Sequence, residues 1–146
     1  MKIQTTRFGE IEIDEKACFE MLSPILGYED EKKFVLLEHQ ERSNFKWFQS
    51  IKTPELALVV TVAGAFGIDY CYELPDEVQE NLDISEPEEV LTVNIVVIPQ
   101  GNPKEATINL LAPLIFNVNT KKGAQVILSG SKFRVDYPLF EKEAVC

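Results

Sequence analysis

Short apolar runs, each cut off by Pro, Gly, Asn or Asp before a helix of ordinary length could form, fill most of this 146-residue chain. The clearest is FKWFQSIKTPELALVVT at 45–61, an aromatic run and a β-branched run separated by Lys-Thr-Pro-Glu. That is the sequence form of two strands and a turn. In its first half Phe45, Trp47 and Ile51 share a face, and Trp47 with its neighbours is assigned to the core. The second half, LALVVT, is apolar on both faces and belongs in the middle of a sheet.

The same reading extends along the chain. FGEIEI at 8–13 alternates, with Ile11 and Ile13 on one face and Glu10 and Glu12 on the other. FVLL at 34–37 reads as a buried strand and VLTVNIVVI at 90–98 as a longer one. After a turn at PQGNPKE come ATINLLAPLIFNV and AQVIL, joined by a turn in which Gly123 is expected to supply a positive φ, and then KFRVD as a last alternating strand. Strands separated by turns, with no βαβ rhythm and no internal repeat, predict a mainly β fold: a small antiparallel β-barrel-like domain with one or two short helices. One domain is expected over 1–146, with EKEAVC at 141–146 as a loose tail.

The helical signal is confined to 73–89. Leu74, Val78 and Leu82 recur at i, i+4 and i+8 behind Pro75, making one apolar stripe on a short helix. Ser85 and Glu88 have capping-box spacing for a second single turn. This segment carries eight acidic side chains and no basic one, and the next lysine is Lys104. Such a run is either a solvated face or a docking surface for cations.

Charge and motifs narrow the function. The formal net charge is −10, the wrong sign for direct binding to nucleic acid, where Lys and Arg must neutralise phosphates; a basic protein partner fits better. Cys18, Cys71 and Cys146 lie far apart and read as free thiols, and a single His39, read as surface-exposed, leaves no familiar zinc set. No signal segment precedes the first strand pattern and no apolar run is long enough for a membrane helix, so a cytoplasmic location is expected. The Gly-rich, Ser-nucleophile and zinc-protease motifs are absent. No catalytic residue, cofactor or metal is therefore expected. The rival from another class is a split barrel that binds a small flavin-like ligand, although no phosphate cradle is visible.

Three stretches carry a more specific likeness: SPILGYEDEKKFVLL, FQSIKTPELALVVT and TINLLAPLIFNVNTKKGAQVIL. In this order and spacing, over about residues 19 to 139, the chain resembles the flagellar assembly factor family known as FliW. It departs from the family pattern at Pro24-Ile25-Leu26-Gly27-Tyr28, where Gly-Ile/Leu-Pro-Gly-Phe is common, and at Val62-Ala63-Gly64, where many members have Asp-Pro. The resemblance implies a regulator without catalytic activity that binds two protein partners in exclusion of each other. One is CsrA, a dimeric RNA-binding repressor of flagellin translation. The other is flagellin itself. A chaperone holding flagellin alone is the nearest variant of that reading. Within the resemblance, partner contact is expected at Asp69, Tyr70, Tyr72 and Glu73, on the acidic helix at Asp76, Glu77 and Glu80, and at Ile98.

Overall fold

In the computed structural model, which describes residues 1–38 and 43–140, the alternating N-terminus folds back on itself. Strand β1 (Lys2–Thr5) pairs antiparallel with β2 (Gly9–Glu12), and Ile3 stands opposite Ile11. Ile3 and Ile13 are buried against Val35, so this hairpin seals one patch of the main sheet's outer surface while Glu10 and Glu12 face water.

The main sheet contains β3 (Phe19–Ser23), β4 (Lys33–Glu38), β5 (Lys46–Ser50), β6 (Ala57–Thr61), β7 (Val90–Val97), β8 (Thr107–Ile108), β9 (Leu114–Asn117), β10 (Lys122–Gln125) and β11 (Tyr137–Pro138). Hydrogen-bonded neighbours run from β7 through β6, β5, β4, β3 and β10 to β9. Strand β9 then pairs back onto β7, with Leu91 opposite Phe116, and closes a ring of seven strands. The expected small β-barrel is present. One pairing departs from an antiparallel pattern: β10 runs parallel to β3, with Gly123 opposite Met21. Strands β8 and β11 extend the sheet outward from β7.

Four phenylalanines occupy the barrel axis. Phe34 and Phe48 stack with centroids 4.5 Å apart and planes 6° from parallel, and Phe116 meets both Phe19 and Phe48 edge-on. All four are buried among Met21, Val60, Val93 and Leu114. Offset and edge-on contacts satisfy the ring quadrupoles, and loss of one such ring costs about 3–5 kcal/mol.

This arrangement corrects the side of the hairpin expected to face the core. Phe48, at an even position, points into the barrel; Trp47 is half-buried on the outer surface, with the Arg7 guanidinium 3.9 Å above its ring. Phe45 likewise lies outside, against Phe66. Alternation then fails at the strand's end, where Gln49 and Ser50 are both buried because they tie down the following turn. The Gln49 Nε2 group donates to the carbonyls of Ser50 and Pro54.

Other boundaries also move. The expected strand 106–118 splits into β8 and β9, because Asn109 Oδ1 accepts from the amides of Leu111 and Ala112 and folds the chain before Pro113. Gly123 is not the positive-φ turn residue; Lys121 takes that conformation (φ 62°), and Gly123 lies within β10. KFRVD is not a strand, and regular pairing resumes only at Tyr137. The capping box is formed by Glu86 and Glu89, one residue beyond the Ser85–Glu88 spacing, so that Pro87 enters the first turn. His39, Cys146 and the tail at 141–146 lie outside the described residues.

Candidate interaction surface

After β6 the chain makes a single 3-10 turn at Ala63–Phe66 that ends on Gly67 in the left-handed region (φ 75°). A side chain at that φ is strained, so glycine permits the reversal that sends Ile68–Leu74 across the outside of the barrel. Tyr70 is half-buried there and joins two outer clusters, one around Ile108 and Leu110 and the other around Ile115 and Val126. Its ring lies 5.2 Å from that of Tyr72 and 4.9 Å, edge-on, from Phe133.

Both phenols are held by the scaffold. The Tyr70 hydroxyl donates to the Leu110 carbonyl and accepts from Asn94 Nδ2 at 3.3 Å. Tyr72 shares a hydrogen bond with the Thr92 hydroxyl on β7. Burial disfavours the phenolate, outweighs the hydrogen bond from Asn94, and pushes the Tyr70 pKa up to about 12. Burial raises the Tyr72 pKa as well, against the opposing effect of Thr92. Ile98, one residue beyond β7, is half-buried against the same outer cluster as Tyr70. Tyr70 packs on both outer clusters, Ile98 on one and Tyr72 on the other, each with part of its area in solvent.

Pro75 caps helix α1 (Asp76–Asn81) with its φ at −57°. The predicted stripe holds: Leu74, Val78 and Leu82 pack with Ile115 of β9, Ala124 of β10 and Val126 just past it. The opposite face carries Asp76 and Glu80, Glu77 stands at the flank of the stripe, and all three are exposed, as is Glu73 just before the helix. Asp83 (φ 60°) ends the helix in the left-handed region. The Asn117 side chain donates to the Leu82 carbonyl at 2.8 Å and reaches that of Asp83, so the helix terminus is fixed to β9. A second single turn at Pro87–Glu89 follows, where the Glu89 carboxylate accepts from the amides of Ser85 and Glu86. Those two backbone hydrogen bonds, Ser85 first, hold the Glu89 carboxyl below the usual range against a small opposing effect of desolvation.

The residues singled out in the sequence therefore fall into two kinds. Glu73, Asp76, Glu77 and Glu80 form an exposed anionic face on a helix anchored from below. Asp69 is also exposed and lies within reach of the Cys71 thiol, while Tyr70, Tyr72 and Ile98 form the half-buried apolar part. Sequence reasoning missed Leu22 and Ile127, which flank a groove on the far side of α1. Alternation from the buried Phe19 and Met21 puts Leu22 on the outer face, a signal that becomes readable once β3 is recognised as a strand.

The family model for FliW protein matches residues 2–139. The chain is 41% identical to the flagellar assembly factor FliW of Syntrophus aciditrophicus over 141 residues, covering 97% of this chain and 89% of that protein. It is 37% identical to the flagellar assembly factor FliW of Thermotoga neapolitana over 140 residues, covering 96% and 94% of the two chains. A crystal structure of the flagellar assembly factor FliW superposes with a TM-score of 0.88 at 33% identity, covering 98% of this chain and 99% of the other. A match along nearly the whole length, in sequence and in fold, establishes that this chain belongs to the FliW family.

Proposed function

We propose that the chain is a non-enzymatic flagellar assembly factor of the cytoplasm that binds CsrA, relieves its repression of flagellin mRNA, and gives up CsrA when flagellin binds. The observation that carries this reading is the exposed acidic face of Glu73, Asp76, Glu77 and Glu80 on a rigidly seated helix, beside the half-buried apolar surface of Tyr70, Tyr72 and Ile98. CsrA must present cations to RNA. A protein of net charge −10 docked beside that surface repels phosphate over about a Debye length, roughly 8 Å at physiological salt, without covering the RNA site. Such coupling is reciprocal, so RNA weakens CsrA binding here as much as this protein weakens RNA binding. The filled barrel axis supports contact through the outer surface over a flavin-like ligand inside.

Replacing Glu73, Asp76, Glu77 and Glu80 together by lysine tests the anionic face. Exposed charges act mainly on association rate, so the variant should bind CsrA about tenfold or more slower at low salt, with an unchanged circular dichroism spectrum. A folded variant that associates at the wild-type rate would remove the acidic helix from the interface.

A further inference from the structure

The ladder between β6 and β7 stops at Val59 opposite Val96, short of the start of β6. Backbone groups point alternately to the two sides of a strand. The Leu56 carbonyl accepts from the Ser50 amide and the Ile95 carbonyl from the Asn109 amide, so Leu56 and Ile95 turn away from the β6–β7 boundary and Ala57 and Ile98 turn into it. These two would form the next bonded pair, yet no backbone hydrogen bond joins them among the described residues. Pro99 follows β7, and the chain turns away through 99–102, where the Asn102 amide donates to the Pro99 carbonyl. The strands part and leave a groove in which Leu58 and Ile95, packed on the barrel core from the other side, are half-buried. Leu26 and Val97, at 63% and 60%, are the two most exposed large apolar side chains among the described residues, and both line this groove. Leu26 sits on a pinned turn: its amide donates to Gln125 Oε1 at 2.8 Å, and the Tyr28 amide donates to the Ile25 carbonyl at 2.8 Å. Arg7 is the one charged side chain among the described residues that line the groove, and Trp47 holds the face of its guanidinium, which leaves the N–H edge for a carboxylate.

We propose that this groove takes an extended segment of a protein partner. Its backbone bonds the free groups of Ala57 and Ile98, its apolar side chains seat on Leu26 and Val97, and a carboxylate near one end pairs with Arg7. Two unpaired strand edges call for an extended occupant, since a helix has already satisfied its own backbone. The lone cation sets the sign: a net charge of −10 repels an acidic segment over most of the surface, so Arg7 fixes where one can settle. The acidic helix lies outside this groove. Ile98 also packs on the outer cluster that includes Tyr70, so the groove adjoins the surface proposed for the partner switch. The probes below are neither CsrA nor flagellin and no variant touches Ile98, so the groove and the switch can fail separately.

The test titrates short peptides of alternating Val and Thr, one ending in Glu and one in Lys, into the wild-type protein and into Leu26→Asn, Val97→Asn and Val135→Asn. All three positions are solvent-exposed, so the variants should fold, and circular dichroism checks this. None changes the charge, so a loss of binding reports lost apolar seating. The expected result is tighter binding of the Glu peptide, a loss of about tenfold for Leu26→Asn and for Val97→Asn, and none for Val135→Asn. N-methylation of every second amide of the Glu peptide, made in both registers, should cost about tenfold in the register that faces the strand edges. Arg7→Glu should reverse the preference toward the Lys peptide. No binding of the Glu peptide up to about 1 mM, full affinity in both methylated registers, or wild-type affinity in both groove variants would overturn the proposal. So would an Arg7→Glu variant that keeps the wild-type preference, or self-association of the wild-type protein that Val97→Asn abolishes, because the groove would then belong to a second copy of the chain.

Discussion

Gly123 lies directly against Phe116 on the neighbouring strand: a Cβ atom at 123 would stand 2.2 Å from Cδ1 of that ring and 2.4 Å from the Ile115 carbonyl oxygen. The residue is a packing glycine on β10, between the parallel pairing with β3 and the antiparallel pairing with β9, and its φ is not positive.

Gly123→Ala should therefore destabilise the fold by about 1–3 kcal/mol, the usual cost of forcing a methyl group into a filled core. Gly64→Ala is the control. Nothing stands within 4 Å of its Cβ position and its φ is not positive, so stability should hold or rise by up to about 1 kcal/mol. Urea unfolding of the two variants measures both, and equal midpoints would contradict the packing role.

Glu31 accepts hydrogen bonds from the Ser50 hydroxyl at 2.5 Å and the Thr53 hydroxyl at 2.6 Å, locking the turn between β5 and β6. Burial alone would raise its pKa; the Ser50 and Thr53 hydrogen bonds, helped by Lys52, outweigh this and leave it below the ordinary value. A carboxyl lowered in the folded state contributes stability above its unfolded pKa and loses it as pH falls through the folded one. Glu31→Gln should thus lower the melting temperature at pH 7, and its difference from wild type should shrink on acidification below the carboxylate range. Thermal melts across that range would show a constant difference if the charge had no part.

The Tyr70 phenol works in the opposite pH window. Its pKa is raised to about 12, so the stability it contributes is complete below the unfolded value near 10 and is lost as pH climbs toward 12. Tyr70→Phe should cost about 1–3 kcal/mol at neutral pH, because the Leu110 carbonyl and Asn94 both lose a partner. It should also remove the highest-pKa step from the phenolate absorbance titration. Loss of a step at the ordinary value near 10 instead would place the Tyr70 hydroxyl in solvent.

Local chemistry made some of these elements legible in the sequence and left others hidden. Pro54 between an aromatic and a β-branched run announces the β5–β6 hairpin, and the spacing of Leu74, Val78 and Leu82 announces α1. Gly123 misleads because a glycine after Asn-Thr-Lys-Lys looks like a turn residue, whereas its role depends on Phe116 across the sheet. The parallel β3–β10 pair is invisible for the same reason, since its strands are far apart in the chain. Trp47 and Phe48 point to opposite faces by strand alternation, and which of the two faces meets the core is decided by long-range closure of the barrel, which local sequence does not encode. Of the interaction surface, the acidic run is explicit in the sequence. The exposure of Leu22 and Ile127 depends on which elements pack beside them, which residue type does not reveal.

The partner switch is tested most directly by titrating flagellin into a preformed complex of this protein with CsrA at two ionic strengths, with the species resolved by size. A contact through Tyr70, Tyr72 and Ile98 is mainly apolar and changes little with salt, whereas one through the acidic helix is screened. The account predicts that flagellin displaces CsrA, that no ternary complex accumulates, and that less flagellin is needed at the higher salt. A stable complex containing all three proteins at both ionic strengths would contradict it.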